Sequence, residues 1–413
     1  MRQQKTRILL YSHDTYGLGH IRRTLAISHQ IAHDLPKSRQ LIVTGSAVSG
    51  AYDLPAHTEV IKLPGLSKRS SGKYKARALP LKLKKMIKWR KQMLVQAVDY
   101  FDPDIVLVDK APAGAQQELL PALIKLQRDD PRTKLVLGMR DIEDSPERTQ
   151  RQWQKDGSYD LMEAIYDMIL LYGQRSFFDP VAAYQLSPTI ASKLVEVGYI
   201  SRPFTPAPTL EDVPLPADKP LILVTIGGGG DGYDIISDYL DMVNEWGDTP
   251  FHSLIVTGPL MAERFQDQLA DTDHRDVTIL PFTPHLMQYM DQAELVISMA
   301  GYNSTTELLS LGKKMILIPR NTIREEQRIR AERLAAHGMA TYLPRAEMSP
   351  TRLRRAIRQQ LAASAPEVDL SLDGLPRTTA ALSALIDGRK PTKIRKQTAS
   401  NNNGNRFAAF LPA

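Results

Sequence analysis

Short apolar runs alternate with amphipathic stretches throughout the second half of the chain. The strand-like runs are residues 221–227, 253–258, 277–282, 295–300, 315–320 and 339–344. The helical stretches are residues 233–246, 261–270, 285–292, 304–311 and 325–336, and a last one begins at Ser349-Pro350, a capping residue followed by proline in the first turn. Alternating strands and helices form a parallel sheet with helices on both faces. The pattern therefore predicts a doubly wound α/β domain.

The first half alternates in a similar but less regular way. Its strand-like runs are residues 7–14, 40–44, 59–63, 104–109, 134–139 and 194–197, its helical stretches include 21–33, 79–100 and 116–128, and residues 160–172 change from helical to strand-like. Six prolines in residues 201–220 indicate a linker. We predict a domain at 1–200, a proline-rich linker at 201–220, a domain at 221–388 that ends in a short helix at 377–386, and a disordered tail at 389–413. Ligands of such domains bind at the carboxyl ends of the strands, so a cleft between the two domains is expected.

The composition excludes several classes of protein. The 413-residue chain has no cysteine, which removes disulfides, thiolate catalysis and cysteine-bound metals. It has no run of 18 or more apolar residues, which excludes a transmembrane helix, and its N-terminus lacks the pattern of a signal peptide. With 42 % apolar and 24 % charged residues, it has the composition of a soluble globular protein. We expect a cytoplasmic enzyme or binding protein.

Positive charge is concentrated in two segments. Twelve Lys or Arg and no acid occur from Lys62 to Lys91, and six more basic residues follow Asp387 without an acid. Without these eighteen, the chain has 35 basic and 46 acidic residues. The segments indicate an anionic partner such as a phosphate or a lipid head group, or else a solvated loop and a disordered tail. Residues 79–89 interleave apolar and basic side chains, so they either rest on an anionic membrane or grip a phosphorylated acceptor, or bury their apolar side in the domain. Few aromatic residues lie in the two basic segments beyond Tyr74 and Trp89, and no specific nucleic acid is expected.

A glycine-containing turn follows the first predicted strand. Tyr16-Gly17-Leu18-Gly19-His20 opens a helix, and His20 at such a helix start projects into the cleft. The turn lacks the full G-x-G-x-x-G, and residues 43–46 lack the acid that holds a ribose diol, which argues against a nicotinamide cofactor. His20 is either a functional group or a structural cap of the helix. His13 and Asp14 lie at the same strand end and are alternatives to it.

Two further motifs lie in the second half. Residues 227–232, GGGGDG, form a loop whose amides can face a phosphate or a sugar, but no G-K-[ST] follows, so the loop is not a P-loop. In the block 282–327, a strand ends at Met299-Ala300-Gly301 and a helix begins near Ser304, which presents free amides for a diphosphate. Glu307 lies one turn into that helix, within reach of a ribose diol.

At this block the sequence resembles the GT-B glycosyltransferases of family 28, which include the peptidoglycan N-acetylglucosaminyltransferase that makes lipid II. The chain also looks like a bacterial group described as predicted glycosyltransferases. The resemblance is specific over residues 220–340, moderate over 7–30 and poor elsewhere. It implies two Rossmann-like doubly wound domains that face each other across a cleft, with the acceptor bound by the first and a nucleotide-sugar by the second.

The resemblance also implies roles for individual residues. The donor side comprises the loop residues Gly228, Gly229 and Gly230 near the diphosphate, Phe282 and Thr283 at a uracil read through the backbone, Gly301, Tyr302, Asn303 and Ser304 at the diphosphate, Glu307 at the ribose, and Glu326 and Gln327 at the sugar hydroxyls. Glu326 departs from the Gln-Gln pair of the family, which leaves the identity of the sugar open. On the other side, His20 matches the histidine of the first glycine loop and is the candidate base, and Gly17 and Gly19 belong to the same loop.

The expected function is inverting transfer of a hexose-type sugar, with N-acetylglucosamine as one candidate, from a UDP-linked donor to an acceptor hydroxyl in glycan or cell-envelope synthesis. No cofactor or metal is expected, because the triplets Asp102-Pro103-Asp104 and Asp271-Thr272-Asp273 are predicted to be turn acids. Asp109, at a strand end, either orients His20, binds acceptor or bonds to loop amides, and Asp141 is a further acceptor-side candidate. The alternatives are a non-hydrolysing UDP-N-acetylglucosamine 2-epimerase, for which no acid-base cluster is evident, and a non-catalytic binding protein. A position at the inner face of the membrane is compatible with the basic segment.

Overall fold

A computed structural model gives the fold of the protein. It describes residues 5–13, 19–47, 49–68, 74–206, 213, 215–216, 218–270, 275–320 and 324–388. The predicted tail, the turn residues Asp14 and Gly17, and the triplet Asp271-Thr272-Asp273 lie outside the described residues.

Over the described residues of the first half, seven strands form one parallel sheet in the order β3-β2-β1-β6-β7-β8-β9, and a two-stranded antiparallel hairpin, β4-β5, lies apart from it. The strands are β1 (Arg7–Ser12), β2 (Arg39–Thr44), β3 (Thr58–Lys62), β4 (Leu66–Lys68), β5 (Tyr74–Ala76), β6 (Ile105–Asp109), β7 (Lys134–Arg140), β8 (Met168–Tyr172) and β9 (Leu194–Glu196). The central strands are almost entirely buried because helices cover both faces of the sheet.

Helices connect these strands. They are α1 (Gly19–Asp34), α2 (Leu83–Phe101), α3 (Leu120–Asp129), α4 (Pro146–Asp156), α5 (Ser158–Ala164), α6 (Pro180–Ala183) and α7 (Pro188–Ser192). The helix predicted at 116–128 begins four residues later, because Gln116 and Gln117 have φ values of 52° and 57°, outside the helical region. The helix predicted at 79–100 begins at Leu83, because Lys82 before it has an extended backbone with φ of −61° and ψ of 138°.

The second half repeats the arrangement with, among its described residues, six parallel strands in the order β12-β11-β10-β13-β14-β15. The strands are β10 (Leu221–Thr225), β11 (His252–Val256), β12 (Val277–Leu280), β13 (Leu295–Ser298), β14 (Lys314–Leu317) and β15 (Thr341–Tyr342). The helices are α8 (Tyr233–Trp246), α9 (Glu263–Ala270), α10 (Leu286–Gln292), α11 (Tyr302–Ser310), α12 (Glu326–Ala336), α13 (Pro350–Ala362) and α14 (Gly374–Ile386). The predicted cap is confirmed: the Ser349 side chain accepts a hydrogen bond from the Arg352 amide. The predicted doubly wound α/β fold is also confirmed.

The chain passes between the two halves more than once. The first crossing lies between β9 and β10, where residues 201–206 have no regular secondary structure. After α13 the chain returns to the first half: Asp373 pairs with Ile200 in an isolated bridge, and α14 packs against α1. Leu382 of α14 is fully buried in the same apolar core as Ile21 of α1. The last helix, although it follows the second sheet in sequence, thus completes the surface of the first half.

Helix α2 carries much of the basic segment and has two different faces. It buries Met86 and Leu94 against the first half, so part of the predicted apolar side does enter the domain. Trp89 stays 43 % exposed among exposed lysines such as Lys88. In the described part of the chain, no helix is both long and apolar enough to cross a membrane.

Candidate active site

A histidine-aspartate pair stands at the carboxyl edge of the first sheet. His20 lies in the first turn of α1, and Asp109 is the last residue of β6, the strand next to β1. The Nδ1 atom of His20 lies 2.5 Å from Oδ2 of Asp109. Because β1 and β6 are parallel neighbours, the turn after β1 and the end of β6 meet at one edge of the sheet. Of the three roles foreseen for Asp109, the geometry matches the orientation of His20.

Burial and charge set the protonation of the pair. Burial lowers the pKa of His20 to about 4, although Asp109 acts in the opposite direction. Burial alone would raise the pKa of Asp109, but the Arg23 and His20 contacts outweigh it and hold that pKa well below its ordinary value. The imidazole is therefore neutral at pH 7, with Nδ1–H donating to the carboxylate. Nε2 is left unprotonated, as a general base requires.

Arg23 completes this cluster, and the sequence patterns did not single it out. Its Nε and Nη2 atoms donate to Oδ1 of Asp109 over 3.0 and 2.6 Å. It is three residues after His20, so both side chains lie on one face of α1. This spacing from His20 was the sequence feature that could have identified Arg23. An arginine in a helix does not indicate a function, however, unless the residue that it contacts is known.

The other candidates in the first half are placed differently. The His13 ring is buried and meets the His20 ring edge-on, with 5.4 Å between the ring centroids, and it is His20 whose Nδ1 contacts Asp109. Asp141 has no exposed surface; it accepts hydrogen bonds from the Tyr199 hydroxyl and the Ile142 amide, both at 2.7 Å. The predicted acceptor contact of Asp141 is not supported by this placement, because an acceptor would find no accessible atom on it.

Across the cleft, the start of α11 faces the His20 turn. Gly301 precedes the helix, and a side chain at that position would meet no atom of the described residues within 4 Å, so these residues leave the backbone there open to a ligand. The Asn303 side chain donates to the Gly19 carbonyl oxygen over 3.0 Å, which connects the start of α11 to the first residue of α1. The first-turn amides of α11 form the positive end of the helix dipole, as a diphosphate site requires.

Tyr302, at the same helix start, is a structural tie. Its hydroxyl donates to the main-chain oxygen of Tyr172 over 3.0 Å and accepts from the Ile200 amide over 3.1 Å. The side chain is 5 % exposed, so only the Tyr302 backbone can contribute to the diphosphate site that was predicted at 301–304.

Glu307 is buried and engaged by arginines. Its Oε1 atom accepts from Nε of Arg202 at 2.7 Å and from Nη2 of Arg22 at 3.3 Å, and the residue is 1 % exposed. Oε2 is buried and has no hydrogen-bond partner among the described residues. In this conformation a ribose diol has no open path to the carboxylate, so the predicted ribose contact requires the side chain or the two halves to move.

Glu326 lies in a chain of ion pairs that spans the cleft. The five linked pairs run Lys110–Glu143 (3.5 Å), Arg140–Glu143 (3.0 Å), Arg140–Glu326 (3.7 Å), Arg320–Glu326 (2.9 Å) and Arg320–Asp231 (3.1 Å). Although burial would raise the pKa of Glu326, Arg140 and Lys110 lower it to about 2. Glu326 therefore stays ionised and can only accept hydrogen bonds. Gln327 accepts from the Arg320 amide at 3.1 Å.

The glycine loop at 227–232 has a packing role of its own. Gly229 has φ of +90°, and a Cβ atom there would lie 2.4 Å from the carbonyl oxygen of Thr257. The Leu260 amide donates to the Gly228 carbonyl oxygen over 2.8 Å, so the loops after β10 and β11 are joined backbone to backbone. Gly230 is exposed. After β12, Phe282 is 54 % exposed and Thr283 is buried.

Within the described ranges, no three His, Asp or Glu side chains are grouped so that they could hold a metal ion. Asp102 and Asp104 both contact Arg7, at 2.7 and 3.7 Å, before β6. This placement agrees with their prediction as turn acids. Metal independence stays a prediction.

Two doubly wound domains that face each other with the carboxyl ends of their strands define the GT-B fold. Solved structures confirm that this chain has the GT-B fold. The chain aligns over 94 % of its length with all of the glycotransferase of kitacinnamycin (TM-score 0.59, 15 % identity). It aligns over 93 % with 99 % of MurG from Acinetobacter baumannii (TM-score 0.55, 16 % identity). A Listeria monocytogenes protein described as a UDP-N-acetylglucosamine 2-epimerase aligns over 95 % of this chain and 99 % of its own (TM-score 0.61, 11 % identity). At these identities the likeness shows the fold alone.

Sequence comparison is more specific for the second half. Residues 222–367 match the glycosyltransferase family 28 C-terminal domain, which confirms the family-28 resemblance. A UDP-N-acetylglucosamine–N-acetylmuramyl-(pentapeptide) pyrophosphoryl-undecaprenol N-acetylglucosamine transferase from Exiguobacterium sibiricum is 32 % identical over 172 residues, 41 % of this chain and 46 % of the relative. The enzyme of the same name from Listeria welshimeri is 30 % identical over 151 residues, 36 % of this chain and 41 % of the relative. The chain thus spans less than half the length of these curated relatives.

Proposed function

We propose that this protein is an inverting glycosyltransferase that moves a hexose-type sugar from a UDP-linked donor to an acceptor hydroxyl in glycan or cell-envelope synthesis. The observation that carries the proposal is the His20–Asp109 pair, which lies opposite the open start of α11. The family-28 match of the second half supports a nucleotide-sugar donor, and the relatives' names make UDP-N-acetylglucosamine the first donor to test.

The proposed reaction needs only groups of this chain and its two substrates. Nε2 of His20 takes the proton of the acceptor hydroxyl while the hydroxyl oxygen forms a bond to the anomeric carbon. The bond between that carbon and the diphosphate oxygen breaks, and its electron pair stays on the nucleoside diphosphate. Attack from the side opposite the leaving group inverts the anomeric configuration. The α11 dipole stabilises the charge that the diphosphate gains, and base assistance contributes roughly 10²–10⁴-fold in rate.

Binding of the donor is the first test. The thermal stability of the purified protein is measured with UDP, GDP, ADP and TDP and their common sugar conjugates. A ligand at about 100 times its Kd adds about 2.7 kcal/mol to the free energy of unfolding. We expect selective stabilisation by UDP or a UDP-sugar, weakened in E307Q. A protein that none of these compounds stabilises would contradict the proposal.

Catalysis is tested by UDP release from UDP-N-acetylglucosamine in the presence of candidate acceptors, with and without a chelator. H20A is expected to lose the reaction, whereas H29A, which removes an exposed histidine from the same helix, serves as the matched control. If H20A released UDP like the wild type, His20 would not be the base. If donor bound but neither protein transferred sugar to any acceptor class, a non-catalytic nucleotide-sugar binding protein would fit better.

A second candidate, epimerisation of the donor sugar, is favoured by one observation. Folding brings Lys110, Glu143 and Glu326 together at the cleft, although Glu326 is far from the other two in sequence. The sequence analysis did not reveal this charged cluster. Incubation with UDP-N-acetylglucosamine alone separates the two reactions. Formation of the 2-epimer without an acceptor would establish an epimerase activity. It would contradict the proposal that the protein only transfers the sugar to an acceptor.

We also propose that the surface around α2 rests on an anionic membrane, which would bring the site to a lipid-linked acceptor. The surface combines exposed apolar residues, Trp89 (43 %) and Ile124 (49 %), with exposed Lys84, Lys85 and Lys88. Such a combination suits the interface of an anionic bilayer. In vesicle flotation, binding to phosphatidylglycerol vesicles is expected to exceed binding to phosphatidylcholine vesicles.

The double variant K84E/K88E is expected to abolish the preference for anionic vesicles, and W89A is expected to weaken binding to both kinds of vesicle. K155E reverses the charge of an exposed lysine on α4, away from α2, and is the control. Equal flotation of wild type and K84E/K88E would contradict a role for α2.

A further inference from the structure

Arg23 and His20 bind different oxygen atoms of the Asp109 carboxylate. The guanidinium holds Oδ1 through two donors at 3.0 and 2.6 Å, while His20 takes Oδ2 at 2.5 Å. Arg23 is 4 % exposed, so these contacts form away from bulk water. Two donors of the rigid, planar guanidinium converge on this one oxygen and hold it in place, which leaves Oδ2 to His20. The direction in which Oδ2 points at the imidazole therefore depends on Arg23.

The same guanidinium contacts one aromatic ring from each half of the chain. Its central carbon lies 5.6 Å from the ring centroid of Tyr172 and 5.6 Å from that of Tyr302. Tyr302 is the first residue of α11, and its hydroxyl is hydrogen-bonded to the main chain of Tyr172. Displacement of the start of α11 would therefore displace one of the two rings between which Arg23 lies.

We propose that Arg23 is a positioning residue that fixes Asp109 against His20 and couples this pair to the start of α11. As a role in glycosyl transfer, the inference rests on the proposed function. The contacts themselves do not, and they can be tested without substrate.

The electrostatic surroundings of His20 give the proposal a measurable signature. Among the described residues, the charged or titratable groups that face its ring are Asp109, Arg23, Lys110 and His13. Nη2 of Arg23 also lies 3.1 Å from Nδ1 of His20. Arg23 thus both neutralises part of the Asp109 charge and repels a proton on the imidazole. Removal of the guanidinium leaves the imidazole facing an unshared carboxylate, which favours its protonated form.

The test is the titration of His20 in the full chain without ligand, followed by NMR of 13C-labelled histidine rings. The resonance is assigned from its loss in H20Q. In R23M the titration midpoint of His20 is expected to rise by about one to three pH units, whereas R23K, which keeps the charge, is expected to return it towards the wild-type value. R128M removes an exposed arginine and is the control. If R23M does not fold, R23Q, which keeps a donor but not the charge, takes its place.

A parallel measurement addresses catalysis. In the transfer assay, R23M is expected to lower kcat by about 10-fold or more and to move the acidic limb of the pH profile upward, while stabilisation by UDP is retained. A His20 midpoint that stays unchanged in a folded R23M or R23Q would overturn the proposal. A wild-type protein that neither binds a nucleoside diphosphate nor transfers sugar would instead contradict the proposed function, and the titration would still decide the role of Arg23.

Discussion

The Tyr302 hydroxyl donates a 3.0 Å hydrogen bond to the main-chain oxygen of Tyr172 and thereby joins the start of α11 to the end of β8. The same hydroxyl accepts from the Ile200 amide, at the beginning of the crossing between the two halves. One buried oxygen atom thus connects three segments of the chain. The helix that is proposed to carry the donor diphosphate is fixed to the first sheet through this atom.

Replacement of Tyr302 by phenylalanine is expected to lower the free energy of unfolding by about 1–3 kcal/mol, because the Ile200 amide and the Tyr172 carbonyl lose a buried partner. Chemical denaturation of the purified variant measures the change. Y100F removes the hydroxyl of a tyrosine that is 90 % exposed and should unfold like the wild type. Equal stability of Y302F and Y100F would show that the hydrogen bonds of the Tyr302 hydroxyl do not contribute to the free energy of unfolding.

The ion pair between Arg90 and Glu118 is expected to be far more important for stability than exposed pairs. Arg90 has no exposed surface and contacts both carboxylate oxygens of Glu118, at 2.5 and 2.6 Å, while the Tyr11 hydroxyl donates to one of them. R90M leaves a buried carboxylate without its counter-charge and is expected to cost about 3–5 kcal/mol of unfolding free energy. R132M breaks an exposed pair with Asp130 and should leave the denaturation midpoint unchanged. Similar midpoints for the two variants would refute the distinction.

Substitution of Ala300 by glycine is expected to cost less free energy of unfolding than the same substitution in a regular helix. Its φ of +59° lies in the left-handed region, which is unfavourable for a residue with a Cβ atom. A300G is therefore expected to be neutral or to raise the free energy of unfolding by up to about 1 kcal/mol. A380G, at an exposed position in the middle of α14, should lower it by about 1 kcal/mol. Destabilisation of A300G by as much as A380G, measured in guanidinium chloride, would contradict this view of the turn.

Protonation of His20 is expected to make stability depend on pH. Folding lowers its pKa from 6.5 to about 4, so between these values the unfolded chain binds a proton that the folded chain does not. Stability should therefore fall as the pH decreases from about 6.5 to about 4. The free energy of unfolding of H20Q, measured in urea at several pH values in this window, is expected to depend less on pH than that of the wild type. H29Q is the control, and a wild-type slope retained in H20Q would show that His20 does not cause it.

The sequence could predict the second half closely because its strands are continuous apolar runs and its helices have clear boundaries. The predicted and observed limits of α8 coincide at residues 233–246. The hairpin of β4 and β5 was missed, because strands of three residues leave no periodic signal. The predicted 116–128 helix failed at its start for a local reason, two glutamines in left-handed conformation.

The candidate site was predictable only in part. A motif identifies residues that are close in sequence, as at His20 or Gly301, but not the partners that folding brings to them. Arg202 and Arg22 reach Glu307 across 105 and 285 positions of the chain, and no local pattern marks either arginine. The same holds for Lys110 and Arg140, which approach Glu326 only once two sheet edges face each other.

The return of the chain to the first half has a consequence for how the protein can open. Two covalent crossings, one after β9 and one before α14, lie side by side at Ile200 and Asp373. Two halves joined by a single segment can rotate about several axes. Two adjacent crossings at one edge restrict the relative rotation of the halves mainly to one axis, which passes along that edge. Cutting the chain between the sheets would not separate two complete units, because the first would lose the helix that covers α1. Any rotation about this edge should therefore carry α14 along with the first half, while α11, which is bonded to Ile200 through Tyr302 and Thr306, stays close to the axis.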